Sequence, residues 1–260
     1  MGLPSGKSIF ERKRTMENKK KKRYGIIAAL LLLVLAAGVG TYAWLTHTES
    51  LENVFTIGKF EAPENKPDPV NPENPDPTKP NAGKAYLFET KWDPETEHKM
   101  VPGSSMDKNP NVGIKKGSDN AFVFIYVKNA VVKSDPTYAK TPCFDLGSNW
   151  KAVEGEVQKN GDGKCVSGLF MYAKGATSGP AVLGAKDATE DVYTGELFST
   201  VMIPGAMTSE DVVAGEGVKP EIVVSAFIFG ADQSDGATSA ADNAIAQAKA
   251  WVNDPSNHLK

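Results

Sequence analysis

The chain has 260 residues, with 29 Lys and Arg against 32 Asp and Glu, a formal net charge of −3, three histidines and two cysteines. That balance excludes the basic surface that nucleic-acid binding relies on. Two cysteines are too few for a disulfide-stapled scaffold, so a fold of this length must rest on a core of its own.

Residues 19–23 read KKKKR and run directly into YGIIAALLLLVLAAGVG, a positive region followed by an apolar one, as in an export signal. The apolar run over 25–45 is about as long as the ~20 residues a bilayer span needs, so an uncleaved anchor is the alternative. Thr41 and Ala43 place small side chains at the minus-three and minus-one positions, and Trp44 opens a polar stretch. Residues 1–43 are therefore expected to be a signal peptide cleaved between Ala43 and Trp44, with membrane contact only before cleavage. The first fifteen residues fit neither reading. Glu11, Arg12, Lys13 and Arg14 can all be encoded by purines, as a ribosome-binding site read in frame would be, so Met16 is expected to be the true start. Residues 44–260 alone carry a formal charge of −10.

Residues 44–61 contain NVFTIGKF, a strand pattern with Val54 and Phe60 on one face and Phe55 and Ile57 on the other. A lone strand that is apolar on both faces must be covered, either by its own domain or by the sheet edge of another molecule. Residues 62–84 follow with seven prolines among Asn, Asp, Glu and Lys. This composition predicts an extended polyproline linker that builds no ladder, tethering the strand at a distance from the domain.

Residues 85–260 read as a β domain. Strands are expected over 85–92, 120–132, 167–174, 195–204 and 221–231, separated by Gly, Pro and Asn clusters. In the second of these, Ala121, Val123, Ile125 and Val127 alternate with Phe122, Phe124 and Tyr126, so both faces are apolar and the strand is expected to be covered on each side. One helix is predicted at the end: Ser239 is placed to cap, Asp242 follows three residues later, and Ala241, Ile245, Ala248 and Trp251 or Val252 recur at helical spacing as a core stripe. The expected class is all-β, a jelly-roll-like β-sandwich with one C-terminal helix. In an exported protein Cys143 and Cys165 are expected to form one disulfide, with two unpaired thiols as the alternative.

Catalytic patterns are absent. His47, His98 and His258 have no partner at zinc-ligand spacing, and no G-x-S-x-G or phosphate-binding glycine loop occurs. Acidic stretches at 93–97, 160–164 and 209–216 read as solvated turns and do not meet the EF-hand pattern, with weak calcium binding through their oxygen ligands as the alternative. No cofactor is expected.

Several blocks, in order, resemble one family, the secreted proteins with a SipW-dependent type of signal peptide, which includes TasA and camelysin. Asn53, Phe55, Thr56, Gly58 and Lys59 match its N-x-F-T-x-G-K sequence after the signal; Pro102, Gly103, Lys108, Pro110, Val112, Gly117, Ala121, Phe122 and Val123 match a P-G block leading into an A-[YF]-V strand. LFSTVMIP, IVVSAFIFGAD and the Ala-Trp of the last helix complete the order. Phe124, Tyr126 and Gly230 depart from the family's usual residues, and the proline segment interrupts a region usually more continuous. The resemblance implies a secreted, non-enzymatic fibre subunit of a Gram-positive biofilm matrix, trimmed by a signal peptidase of SipW type. It further implies assembly with copies of itself or related matrix subunits by β-strand addition of an N-terminal strand, for which the strand read above supplies Val54, Phe55, Ile57 and Phe60. A camelysin-like surface metallopeptidase and a surface adhesin or carbohydrate-binding sandwich are the alternatives.

Overall fold

A computed structural model describes residues 54–82, 85–92, 100–213, 220–232 and 239–255, the side chains of 54–56 apart. The expected signal peptide, Ala43, Trp44 and all three histidines lie outside these residues. Among the described residues no helix is long and apolar enough to cross a membrane.

The described chain is mostly β-strand with a single C-terminal helix, an all-β sandwich. Its strands are β1 (Val54–Ile57), β2 (Asn65–Pro67), β3 (Pro75–Pro80), β4 (Leu87–Glu89), β5 (Ser105–Asp107), β6 (Pro110–Ile114), β7 (Ala121–Asn129), β8 (Trp150–Lys159), β9 (Cys165–Tyr172), β10 (Val192–Tyr193), β11 (Thr200–Met202) and β12 (Ile222–Gly230). The helix is α1 (Ala240–Asn253). The main sheet runs β1-β12-β7-β9-β8; a smaller one runs β10-β6-β4, and β11-β5 and β2-β3 form pairs.

The alternation along β7 sets the layers. Ala121, Val123, Ile125 and Val127 join one apolar cluster with Ala226 and Ile228 of β12, Phe170 of β9, and Leu87, Val112 and Ile114 of the smaller sheet. Phe122 and Phe124 join a second cluster with Leu169, Phe227, Phe229 and the helix residues Ala244, Ala248, Trp251 and Val252. A strand that is apolar on both faces is thus covered by a sheet on one side and a helix on the other. The helix begins where expected, with the Ser239 hydroxyl accepting the Asp242 amide at 3.1 Å.

Three expectations change. The segment over 62–84 is, across its described residues 62–82, no free tether. Asp68 Oδ1 accepts the amides of Val70 and Asn71 at 2.7 and 3.3 Å, an Asx turn that reverses the chain and sets β2 against β3. Prolines lack only the donor, so the residues between them still bond: the Asn81 amide donates to the Glu64 carbonyl at 2.9 Å and the Asp68 amide to the Asn74 carbonyl at 2.8 Å. Pro63 and Pro67 are buried. Gly113 makes room for this, since a Cβ there would lie 2.4 Å from the Tyr193 ring and 3.0 Å from Pro63.

The second change concerns Cys143 and Cys165, which are free, buried thiols and not a disulfide. Phe144 and Cys165 exchange backbone hydrogen bonds at 2.8 and 3.0 Å, so Cys165 stands opposite the neighbour of Cys143. Side chains alternate along extended chain, which turns the two thiols to opposite faces. The third is an added strand, β8, whose Lys, Glu and Gln residues mask it in the sequence; it is an edge strand with a register shift between Ala152 and Val157.

Candidate assembly site at the N-terminal strand

β1 is laid parallel to β12, the one parallel pairing among the described strands, with Val54 opposite Ala226, Phe55 opposite Phe227, Thr56 opposite Ile228 and Ile57 opposite Phe229. Ile57 packs against the helix-side cluster and Phe60 against the sandwich cluster, so these two sit on opposite faces as their spacing predicted. The side chains of Val54 and Phe55 lie outside the described residues.

Gly58 separates the two halves of this segment. Its φ of 141° lies where only glycine is at ease, and a Cβ would come 2.6 Å from the Phe60 ring. Beyond it the chain is clasped by the turn after β6. The Lys59 amide donates to Asp119 Oδ2 at 2.9 Å, and the Asp119 amide returns a bond to the Lys59 carbonyl at 3.0 Å. The Glu61 amide donates to the buried Ser118 hydroxyl at 3.1 Å, and the Lys115 amide to the Glu61 carbonyl at 2.9 Å. Tyr86 donates its hydroxyl to the Phe60 carbonyl at 3.1 Å. Burial, and then the Glu61 carboxylate, push the Tyr86 phenol above its ordinary value.

Charge frames the same turn. Lys115 Nζ lies 3.1 Å from Glu61 Oε2 and 3.4 Å from Glu64 Oε1, and the hydrogen bond to Glu61 is the largest of the effects that raise the lysine's pKa. Next, the buried Asp191 takes the Glu64 amide on one carboxylate oxygen at 2.6 Å and the Lys116 amide on the other at 3.1 Å. A cavity of about 290 Å³ lies beside it, lined in part by Glu64, Asn74, Glu190 and Asp191. Both Asp191 oxygens are committed to backbone donors, and among the described residues no group of three or more His, Cys, Asp and Glu is placed to hold a metal.

The docked proline segment extends the clasp. Asn81 Nδ2 donates to the Pro63 and Ala85 carbonyls at 2.9 and 3.0 Å, and its Oδ1 accepts the Ala85 amide at 3.2 Å. Asn111 donates to the Pro72 carbonyl, Tyr193 to the Asn65 carbonyl, and Asn149 to Glu73 at 2.9 Å. Residues 59–82 are therefore bound to their own body by side-chain and backbone hydrogen bonds, whereas the backbone of 54–57 pairs along one edge ladder, with Ile57 packed on the helix-side cluster.

The strand itself was legible in the sequence. Its receiver, Ser118, Asp119, Tyr86 and the β12 edge, was not; the only local signal is the polar Gly-Ser-Asp turn at 117–119, where Gly117 has a φ of 79°. Trp150 offers no face to an adhesive surface: it is buried, and its ring nitrogen donates to the Gly195 carbonyl at 3.2 Å. The opposite edge of the main sheet is unlike the β12 edge: β8 is bulged about Gly155, and Lys249 of the helix reaches across to the Glu154 carbonyl at 3.0 Å. No protein-family model, curated protein or solved structure matches the chain.

Proposed function

We propose that this chain is a secreted structural subunit of extracellular fibres in the matrix or on the surface of a Gram-positive bacterium, assembling by β-strand addition with copies of itself or related subunits. On this reading residues 1–43 are removed between Ala43 and Trp44 by a peptidase of SipW type, and the sandwich is a jelly roll. The resemblance in the blocks around 53–59 and 102–123 motivates the proposal. The observation that carries it is the edge ladder between β1 and β12, a short strand that meets the main sheet along one side only.

A strand bound by one parallel ladder can be supplied by another molecule in the same register, because the backbone groups of β12 do not distinguish the source. The hinge for such an exchange is Gly58. Residues 59–82 stay with their own body, so the exchanged piece is 44–57 and Phe60 remains a half-buried anchor. Val54, Phe55 and Ile57 are then the contacts between subunits.

Electron microscopy of the purified secreted protein tests this: fibres are expected, and Phe55→Asp with Ile57→Asp should abolish them while circular dichroism stays β-rich. Monomers at every concentration would refute it. Peptide hydrolysis by such monomers would turn the reading to the peptidase alternative.

A further inference from the structure

Apart from the N-terminal strand, a cluster beside the smaller sheet holds, among the described residues, the groups for a reaction around a fully buried asparagine. Lys91 lies two residues beyond β4, Asn109 directly precedes β6, and Glu196 follows β10, so the order β10-β6-β4 brings the three together. Lys91 Nζ is 2.5 Å from Glu196 Oε1. The same oxygen accepts Asn109 Nδ2 at 3.2 Å. Asn109 has 0% exposure, and its Oδ1 accepts the Lys91 backbone amide at 2.7 Å while Nδ2 also donates to Thr90 Oγ1 at 2.9 Å. A primary amine, a carboxylate and a carboxamide thus meet at one oxygen, with a backbone donor already on the amide carbonyl.

We propose that Lys91 and Asn109 join in an intramolecular isopeptide bond, with Glu196 as the proton carrier. A proton passes within the ion pair from Nζ to Oε1, leaving a free amine that attacks Asn109 Cγ. Charge developing on Oδ1 is met by the Lys91 backbone N–H, as in an oxyanion hole. Protonated Glu196 delivers its proton to Nδ2, then as a carboxylate takes one from the attacking Nζ, and the intermediate collapses with loss of ammonia. The ammonia leaves as ammonium with the proton that Lys91 brought, and Glu196 is again a carboxylate. One bond forms, Nζ–Cγ, one breaks, Cγ–Nδ2, and nothing is oxidised or reduced.

Two features favour this over the ordinary fates of the groups. Asparagine commonly loses ammonia by attack of the next backbone nitrogen, but the next residue is Pro110, which has no N–H to give. Burial of the carboxamide keeps water from competing as the nucleophile. The product would tie β4 to β6 covalently, across a sheet pairing that otherwise spans only Leu87 to Glu89.

Peptide mass mapping of the secreted protein, denatured and digested with trypsin, decides the matter. The expected product is a branched peptide joining residues 85–99 to 109–115, lighter than the two parts by one ammonia, with Lys91 uncut. Recovery of AYLFETK and NPNVGIK as separate, unmodified peptides would overturn the proposal. Glu196→Gln keeps the shape and removes the proton carrier, so its map should show the separate peptides with the circular dichroism unchanged. A branched peptide in that variant would overturn the role given to Glu196, and the map of the unaltered protein stands by itself should the variant not fold.

Discussion

Replacing Asn81 by Ala should loosen the proline segment without unfolding the sandwich. The side chain has 8% exposure and makes three hydrogen bonds, two to the Pro63 and Ala85 carbonyls and one from the Ala85 amide. At about 0.5–1.5 kcal/mol net for each, their loss weakens the docked state by about 3 kcal/mol. With tenfold per 1.4 kcal/mol, the open population of 62–82 rises roughly a hundredfold. A glutamate-specific protease reports this directly, because Glu64 and Glu73 lie inside the segment and are held when it is closed. Cleavage there tracks the open population when reclosing is fast, so the variant should be cut roughly a hundredfold faster while the body stays intact. Equal, rapid cutting of both proteins would show that 62–82 is the free tether its composition suggests, and the hinge at Gly58 would lose its basis.

The helix is expected to hold its side of the sheet through Trp251, whose ring centroid lies 5.6 Å from that of Phe227; Trp251→Ala should cost about 3–5 kcal/mol in urea denaturation, and a change under about 1 kcal/mol would refute that role. Burial, and then the charge of Glu73, raise the Tyr172 phenol from 10.0 to about 12. Since the unfolded phenol ionises first, the stability this burial provides is complete below pH 10 and is lost as pH rises from 10 to 12; ultraviolet titration should show phenolate appearing together with unfolding. Cys143 and Cys165, whose thiol pKa values are raised chiefly by burial, should resist alkylation in the native protein and take two labels after denaturation without reductant; no label under those conditions would restore the disulfide.

What could be read from residues alone was what local periodicity encodes. The two-faced alternation of β7 and the Ser239 cap are short-range patterns, and each is found where its residues put it. β8 escaped because a bulged edge strand needs little apolar alternation and its Glu154, Gln158 and Lys159 face water. β6 escaped for the opposite reason: Pro110 and Gly113 read as turn residues, yet the strand is wholly buried, with Pro63 packed where Gly113 has no side chain. The proline segment misled because composition reports the donors a chain lacks, not the Asx turn and asparagine bridges that neighbours supply. In the candidate site Val54, Phe55, Ile57 and Phe60 could be picked out by size and spacing. Asp119 and Ser118, over fifty residues away along the chain, could not, since their role is to meet backbone groups and leaves no periodic trace.

The pairing of Val54 with Ala226 also fixes an order in time. β1 is the first and β12 the last of the described strands in chain order, so this edge ladder of the main sheet cannot close until nearly the whole chain has emerged. Until then the newly made segment has no edge of its own to meet, whereas a completed neighbour whose β12 edge is still open does. On the proposed assembly, whether it closes on itself or on that neighbour becomes a race between an intramolecular search across a long loop and a bimolecular encounter that quickens with crowding of the product. Slow synthesis into dilute surroundings would favour self-closure, and a dense burst of release would favour joined molecules, with the same four residue pairs formed in either case.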